Sequence, residues 1–244
     1  MDINPTESRL QTWLCAIVLG SALLLGGGQG GLGDTLTQLT ALALMVVLLF
    51  QQPDLRQWPL ASWLALLPIL VVGLFLLPWP DALAQAGSQR GQLAQSLRPI
   101  IGDGLQTGAL NPLAAERAVY WLLPAVALYW AILQGSARLK RRMALWALIW
   151  VFIGALLGLA QKAGGADSLL YFYSNTNRGS AVGLFANNNH YALAMAASLP
   201  LVWAGLIWLF NRRHEKYVHP LWYPALSGIA IVFILGFMLS GSRA

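Results

Sequence analysis

The stretch ALWALIWVFIGALLGLA, residues 144–160, contains no charged side chain. Its length suits one helix, which needs roughly 17–25 apolar residues to cross the hydrocarbon core of a bilayer. The whole chain of 244 residues has this character, with 57% hydrophobic residues, 10% charged residues and a mean hydropathy of +0.60. Soluble domains average about 25% charged residues, so the composition excludes a soluble or disordered chain and predicts a polytopic membrane protein.

Six further apolar runs lie on both sides of this stretch. Together they give seven predicted spans, at residues 11–27, 36–50, 59–77, 118–133, 144–160, 190–210 and 221–240. None of the seven contains Asp, Glu, Lys or Arg. Backbone groups in lipid must pair within the chain, and the alternation typical of barrel strands is absent. We therefore expect an all-α transmembrane helix bundle that forms a single membrane domain over residues 1–244.

Lys and Arg divide unevenly between the two sides that this topology creates. Nine lie on the side of the N-terminus, most of them in the clusters 138–142 and 212–216, and six lie on the other side. Because basic residues are enriched in cytoplasmic loops, we expect the N-terminus to lie in the cytoplasm. The net charge of +6 then reflects topology, and we find no nucleic-acid site.

Two outward segments, residues 79–117 and 161–189, are longer than simple turns. Long connections in compact proteins are usually functional or disordered. In the first segment, residues 81–97 carry small and apolar side chains at helical spacing. This pattern fits an interfacial helix and an irregular loop equally well.

The second outward segment leads into the least ordinary stretch of the chain, RGSAVGLFANNNHYA at residues 178–192. Asn187 or Asn189 suits the N-cap of the next helix, whose unpaired N–H groups favour a phosphate. The planar guanidinium of Arg178 could bind such a phosphate through two hydrogen bonds. His190 could act as a general base or a hydrogen-bond donor. The competing interpretation is purely structural, because Asn clusters also cap helices that bind no ligand.

The stretch 178–192, continued by Leu-Pro-Leu at residues 199–201, resembles the signature of the O-antigen ligase/polymerase superfamily. That signature typically reads R-x-x-G-x-F-x-N-x-N-H-[FY]-A ahead of a helix ending in L-P-L. The spacing from Arg to Gly differs slightly here, so that Gly179 and Gly183 both qualify as the glycine.

Two further segments are similar to the same superfamily and occur in the same order. Residues 108–118 resemble an outward helix start of the form S-L-x-P-x-A-T-x-x-A, but depart from it at Asn111 and Ala115. Residues 239–244, LSGSRA, resemble the segment S-x-S-R-G-A. Members continue from there into a large periplasmic loop, so the resemblance implies that this chain corresponds to the amino-terminal part of a member and is inactive alone.

The resemblance implies a metal-independent and cofactor-independent glycosyltransferase of the bacterial inner membrane. Such proteins move a glycan from an undecaprenyl-diphosphate carrier to lipid A-core or to a growing polysaccharide on the periplasmic face. Ligases, polymerases and protein O-oligosaccharyltransferases share the signature, so the acceptor stays open. The partners implied are the lipid-linked glycan, its acceptor and membrane lipid.

Charge develops on the leaving diphosphate in such a transfer, and arginines or helix N-termini aimed at it would stabilise the transition state. We expect outward-facing residues to bind the diphosphate and sugar, namely Arg117, Arg178, Asn187, Asn189 and Arg243, with His190 as the catalytic candidate. The sequence has no metal-ligand spacing such as H-x-x-x-H or C-x-x-C.

Two other classes stay open, a polysaccharide or lipid transporter and a non-catalytic membrane scaffold. Transporters commonly place ionisable or helix-breaking residues at mid-membrane. Here the charges fall in loops or at span ends, and the strong breakers within spans are Pro68, Pro124, Pro200 and Pro224. The sequence therefore favours the enzyme.

Overall fold

The computed structural model describes residues 9–25, 31–79, 107–109, 111–213 and 219–242, together with Gln92 and Ser96. Over these residues the fold is all-helical, as the sequence predicts. The helices are α1 (Arg9–Leu25), α2 (Leu32–Gln51), α3 (Leu60–Leu64), α4 (Leu67–Leu76), α5 (Pro112–Gln134), α6 (Ala137–Ala163), α7 (Asn188–Asn211) and α8 (Trp222–Leu239), with a 3-10 turn at Leu55–Gln57. The segment 81–97 lies outside the described residues, apart from Gln92 and Ser96.

Four helices, α2, α6, α7 and α8, are long and apolar enough to cross a membrane. Helix α1 and the pair α3–α4 are apolar but shorter. Large apolar side chains cover the outer surfaces of these helices, including Leu32, Phe50 and Met238. A soluble monomer rarely exposes apolar patches of that extent, so the chain is a membrane protein.

The third predicted span, residues 59–77, is split into α3 and α4. Pro68 is the second residue of α4 and has no N–H to continue a helix from α3. The ring of a proline also collides with the carbonyl four residues earlier, which belongs to Leu64, the last residue of α3. Pro124 and Pro200, by contrast, lie inside the unbroken helices α5 and α7.

Helix α6 begins well before the predicted start at Ala144. The Ser136 hydroxyl caps it by accepting a hydrogen bond from the N–H of Leu139 (3.1 Å). Leu139 and Met143 are buried in the core, which stabilises the extra turns. The basic cluster 138–142 therefore lies in the first turns of α6, and the helix begins earlier than the predicted span.

The helices pack as two groups. Helices α1 to α5, which we call the N-terminal bundle, pack on one another around a core of large side chains such as Leu44, Trp58 and Trp130. Helices α6 to α8 and the 164–187 loop, which we call the C-terminal bundle, pack around Tyr191 and Phe233. Contacts between α1 and α6 join the two bundles.

The two ends of the C-terminal bundle are distinct. At one end, which we call the loop end, the end of α6, the beginning of α7 and the end of α8 meet. There the N–H of Ala181 donates to the carbonyl of Leu239 (3.4 Å). At the opposite end the hydroxyl of Tyr223 in α8 donates to the carbonyl of Leu209 in α7 (2.9 Å). The three consecutive asparagines at residues 187–189, which we call the Asn-rich stretch, lie at the loop end.

Candidate functional site

The 164–187 loop is anchored by Gln161, a wholly buried side chain in the last turn of α6. Its Nε2 donates to the carbonyls of Leu170 and Gly183, both at 2.9 Å. Its Oε1 accepts from the N–H groups of Val182 (3.2 Å) and Gly183 (2.7 Å). One amide thus uses both donors and both acceptor lone pairs on loop backbone that burial would otherwise leave unpaired.

Tyr191, at the beginning of α7, is wholly buried in a slot lined by glycines. A Cβ added at Gly158 of α6 would lie 2.6 Å from the Tyr191 ring and hydroxyl, and one at Gly236 of α8 would lie 2.7 Å from the hydroxyl. A Cβ at Gly183 in the loop would lie 2.9 Å from the same ring. One side chain of α7 therefore packs against both neighbouring helices and the loop, and only glycine leaves it room.

The backbone around Arg178 is fixed on its C-terminal side. The Tyr171 hydroxyl accepts from the N–H of Gly179 and donates to the carbonyl of Ser180, both at 2.9 Å. The amine of Lys162 donates to the carbonyl of Gly179 (2.7 Å). The Arg178 guanidinium is exposed and lies 5.9 Å from the centre of the Tyr171 ring. The loop thus presents one arginine to solvent from an ordered backbone.

The Asn-rich stretch contacts the segment that follows α8. Asn187, one of the two N-cap candidates from the sequence, is the N-cap of α7, and its Oδ1 accepts from the N–H of Asn189 (2.8 Å). Asn188 donates from Nδ2 to the carbonyl of Ser240 (3.0 Å), and Ser242 donates from its hydroxyl to Oδ1 of Asn189 (2.9 Å). Two segments about fifty residues apart in the chain therefore meet at the loop end.

The predicted site residues have different positions in the fold. The structure brings Arg178, Asn187, Asn189 and His190 to the loop end, where all four side chains are exposed. Arg243 lies outside the described residues, one position beyond Ser242.

Arg117 lies apart from this group, in the second turn of α5. The Asn111 side chain caps that helix by accepting from the N–H of Ala114 (3.0 Å), and Pro112 is the first helical residue. Helix α5 packs against α1, α2 and α4 of the N-terminal bundle. Among the described residues no hydrogen bond connects Arg117 with the Asn-rich stretch.

Sequence reasoning missed three residues on which the loop end depends: Gln161, Asn188 and Tyr191. The signal for Gln161 was a polar amide at the end of an apolar run, because a buried amide requires partners. The sequence near Gln161 does not indicate which groups those partners are, because they follow Gln161 in the chain by 9 to 22 residues.

The chemistry available at the loop end is that of hydrogen-bond donation to an anion or a polar ligand. The predicted site residues there offer one guanidinium, two exposed carboxamides and an imidazole beside a helix N-terminus. Within the described ranges, no three His, Cys, Asp or Glu residues are grouped as they would be around a metal ion.

No protein-family model, curated protein or solved structure matches this chain.

Proposed function

We propose that the chain is part of a membrane glycosyltransferase like the O-antigen ligases and polymerases. In this proposal the enzyme to which the chain belongs transfers a glycan from undecaprenyl diphosphate to lipid A-core or a growing polysaccharide, on the periplasmic face of the bacterial inner membrane. The supporting observation is the contact of Asn188 and Asn189 with Ser240 and Ser242. These are the two segments whose motifs carry the resemblance, and residues that bind one substrate must lie together.

The charge of the loop end supports a diphosphate as the ligand. Lys162 and Arg178 outnumber Asp167, the one carboxylate between residues 161 and 190. The Arg178 guanidinium matches the planar geometry of a phosphate, and charge on a leaving diphosphate increases in the transition state. In the proposal Arg178 stabilises that charge together with Arg243, and Asn187 and Asn189 orient the donor. Arg117 has no part in it, because its helix packs in the N-terminal bundle.

His190 is the proposed general base. It lies in the first turn of α7 with an exposed side chain, beside the two asparagines. A ring nitrogen of a neutral imidazole can accept a proton from the attacking hydroxyl of the acceptor.

The proposed topology has seven spans, with α3 and α4 together forming the third and the loop end in the periplasm. The distribution of basic residues supports it. The ends of the helices opposite the loop end carry Arg9, Arg56, Arg212, Arg213 and the cluster 138–142. Cytoplasmic segments are enriched in Lys and Arg, so this end is assigned to the cytoplasm.

The test is Arg178→Ala in the protein expressed from its own gene. Removing a donor to a developing charge should lower the rate of glycan transfer by about 100-fold or more, with normal membrane insertion. Transfer is measured as loss of the lipid-linked donor and gain of glycosylated acceptor in membranes. Arg213→Ala removes the same charge at the opposite end, where that guanidinium lies over Phe210, and should leave transfer unchanged.

Full activity of Arg178→Ala would overturn the phosphate role of this arginine. A transporter is separated by a second measurement, uptake of a labelled lipid-linked glycan into vesicles. Uptake without turnover of the donor would overturn the enzyme proposal.

A further inference from the structure

A cavity of about 600 Å³ opens between the beginnings of α1 and α6, at the end of the molecule opposite the loop end. It is lined by Arg9, Thr12, Trp13 and Ala16 of α1 and by Arg138, Arg142 and Trp146 of α6. We call it the arginine–tryptophan cleft. Its volume lies in the usual range of small-molecule sites, about 300–1,000 Å³.

The two walls of the cleft have the same order of side chains. On α1, Arg9 is followed one turn later by Trp13 and another turn later by Ile17. On α6, Arg142 is followed by Trp146 and then by Ile149. Residues three or four apart share one face of a helix, so each wall is a stripe that changes from charged to aromatic to aliphatic.

The apolar part of each stripe remains accessible. Trp13 is 64% exposed, Trp146 40%, Ile17 43% and Ile149 46%. Since both helices begin at the cleft, the arginines lie at its outer rim and the apolar side chains lie about two turns, or roughly 10 Å, further along the helices. A membrane also changes from charged headgroups at its surface to aliphatic acyl chains further in.

The positive charge of the cleft is not neutralised within the described part of the chain. Neither α1 nor α6 contains Asp or Glu, and none of the three arginines forms an ion pair with a described residue. Like charges gathered around one cavity repel one another, and an anion in that cavity relieves the repulsion.

We propose that the arginine–tryptophan cleft binds one anionic phospholipid. Arg9, Arg138 and Arg142 donate hydrogen bonds to its phosphate, since guanidinium groups match phosphate oxygens, and basic pockets between helices at a membrane surface suit anionic headgroups. Trp13 and Trp146 pack at the level of the glycerol, where indoles favour the interface. The aliphatic ends of the stripes cover the acyl chains. A free phosphate would leave these aliphatic side chains without a partner.

The inference does not depend on the proposed glycosyltransferase activity, because the cleft lies at the other end of the molecule. It also does not depend on which side of the membrane that end faces.

The test measures lipid binding to the purified full chain in detergent by native mass spectrometry. The probes are dioleoylphosphatidylglycerol and dioleoylphosphatidylcholine, titrated separately. The wild type should hold one phosphatidylglycerol in preference to phosphatidylcholine. The triple variant Arg9→Gln, Arg138→Gln and Arg142→Gln should bind phosphatidylglycerol about 100-fold more weakly, since each basic residue near a membrane surface contributes roughly a fivefold factor.

A matched control removes three other positive charges at the same end of the molecule but outside the cleft. It carries Lys140→Gln, Arg141→Gln and Arg213→Gln, none of which lines the cavity, and should bind phosphatidylglycerol like the wild type. The single variant Arg142→Gln perturbs the fold least and should weaken binding by about fivefold.

Three results would overturn the proposal. The first is an equal loss of phosphatidylglycerol in both triple variants, which would mean attraction by overall charge. The second is equal binding of the two lipids by the wild type. The third is a rise in thermal stability of the lipid-free wild type, but not of the cleft variant, in inorganic phosphate, which would assign the cavity to a soluble anion.

Discussion

Each bundle buries a glutamine at the end of a long helix, and the two side chains are treated in opposite ways. Gln134, the last residue of α5, has a buried amide whose nitrogen and oxygen find no hydrogen-bond partner in the part of the chain that the structure describes. Gln161, near the end of α6, makes four hydrogen bonds to one loop. A buried glutamine therefore lowers the stability of one bundle through an amide that the described residues leave unpaired, whereas in the other bundle it holds a loop in place.

The cores of the two bundles also differ in how tightly their side chains are constrained. In the N-terminal bundle, the indole rings of Trp58 and Trp130 pack edge to face with centres 4.8 Å apart. In the C-terminal bundle, Tyr191 packs against Gly158, Gly183 and Gly236. A core of large side chains can adjust when one of them changes, whereas a slot made of backbone cannot. The comparison indicates that the loop end is the part of the molecule most constrained in shape.

The largest loss of stability is expected from Gly183→Ala. Gly183 has φ +57°, and a Cβ there would collide with the carbonyl oxygen of Gly154 and lie 2.9 Å from the Tyr191 ring. Backbone strain and overpacking together should lower the free energy of unfolding by about 4 kcal/mol, measured by reversible unfolding in detergent.

Gly165→Ala is the matched control for this variant. Gly165 also has a positive φ, +73°, but nothing lies within 4 Å of a Cβ built there. Only the backbone strain remains, about 1 kcal/mol. Equal losses in the two variants would contradict the tight slot around Tyr191.

The next effect is expected from Gln161→Leu compared with Gln134→Leu. The first variant leaves the carbonyls of Leu170 and Gly183 and two buried N–H groups without the amide, and should cost about 3 kcal/mol. The second replaces an amide whose partners are absent from the described structure and should be neutral or stabilising.

Hydrogen exchange at the backbone N–H groups of Val182 and Gly183 provides an independent measurement. Both groups should exchange faster than in the wild type in Gln161→Leu, and at the wild-type rate in Gln134→Leu. A similar response of the two variants would remove the distinction between the two glutamines.

The smallest effect is expected in the N-terminal bundle, from Trp130→Phe. The substitution keeps an aromatic ring beside Trp58 but removes the hydrogen bond from the indole nitrogen to the carbonyl of Ser62 (2.9 Å). We expect a loss of about 1 kcal/mol in the same unfolding measurement. Trp203→Phe, at an exposed position of α7, should change stability by less than about 0.5 kcal/mol. A loss near that of Gly183→Ala would show that this core is as rigid as the slot around Tyr191.

Much of the helical layout follows from local signals, and the part that was mispredicted depends on contacts between helices. The cap at Asn187 was predictable, because a short polar side chain before an apolar run satisfies unpaired N–H groups. The early start of α6 was not, because the charged cluster 138–142 hides Leu139 and Met143, which become core residues only when other helices cover them. At the candidate site, the motif contains Arg178 and Asn189, whereas Gln161 acts through distant backbone that no motif specifies.

By itself the sequence determined that this is an all-helical membrane protein, because long uncharged runs have no other stable arrangement in lipid. It also determined which stretch is unusual. Only the tertiary structure decided that this stretch meets Ser240 and Ser242, that Arg117 belongs to the other bundle, and that arginines on α1 and α6 share a cleft. Hydropathy and capping act over a few residues, whereas contacts between helices depend on how their side chains pack, which no short stretch of sequence encodes.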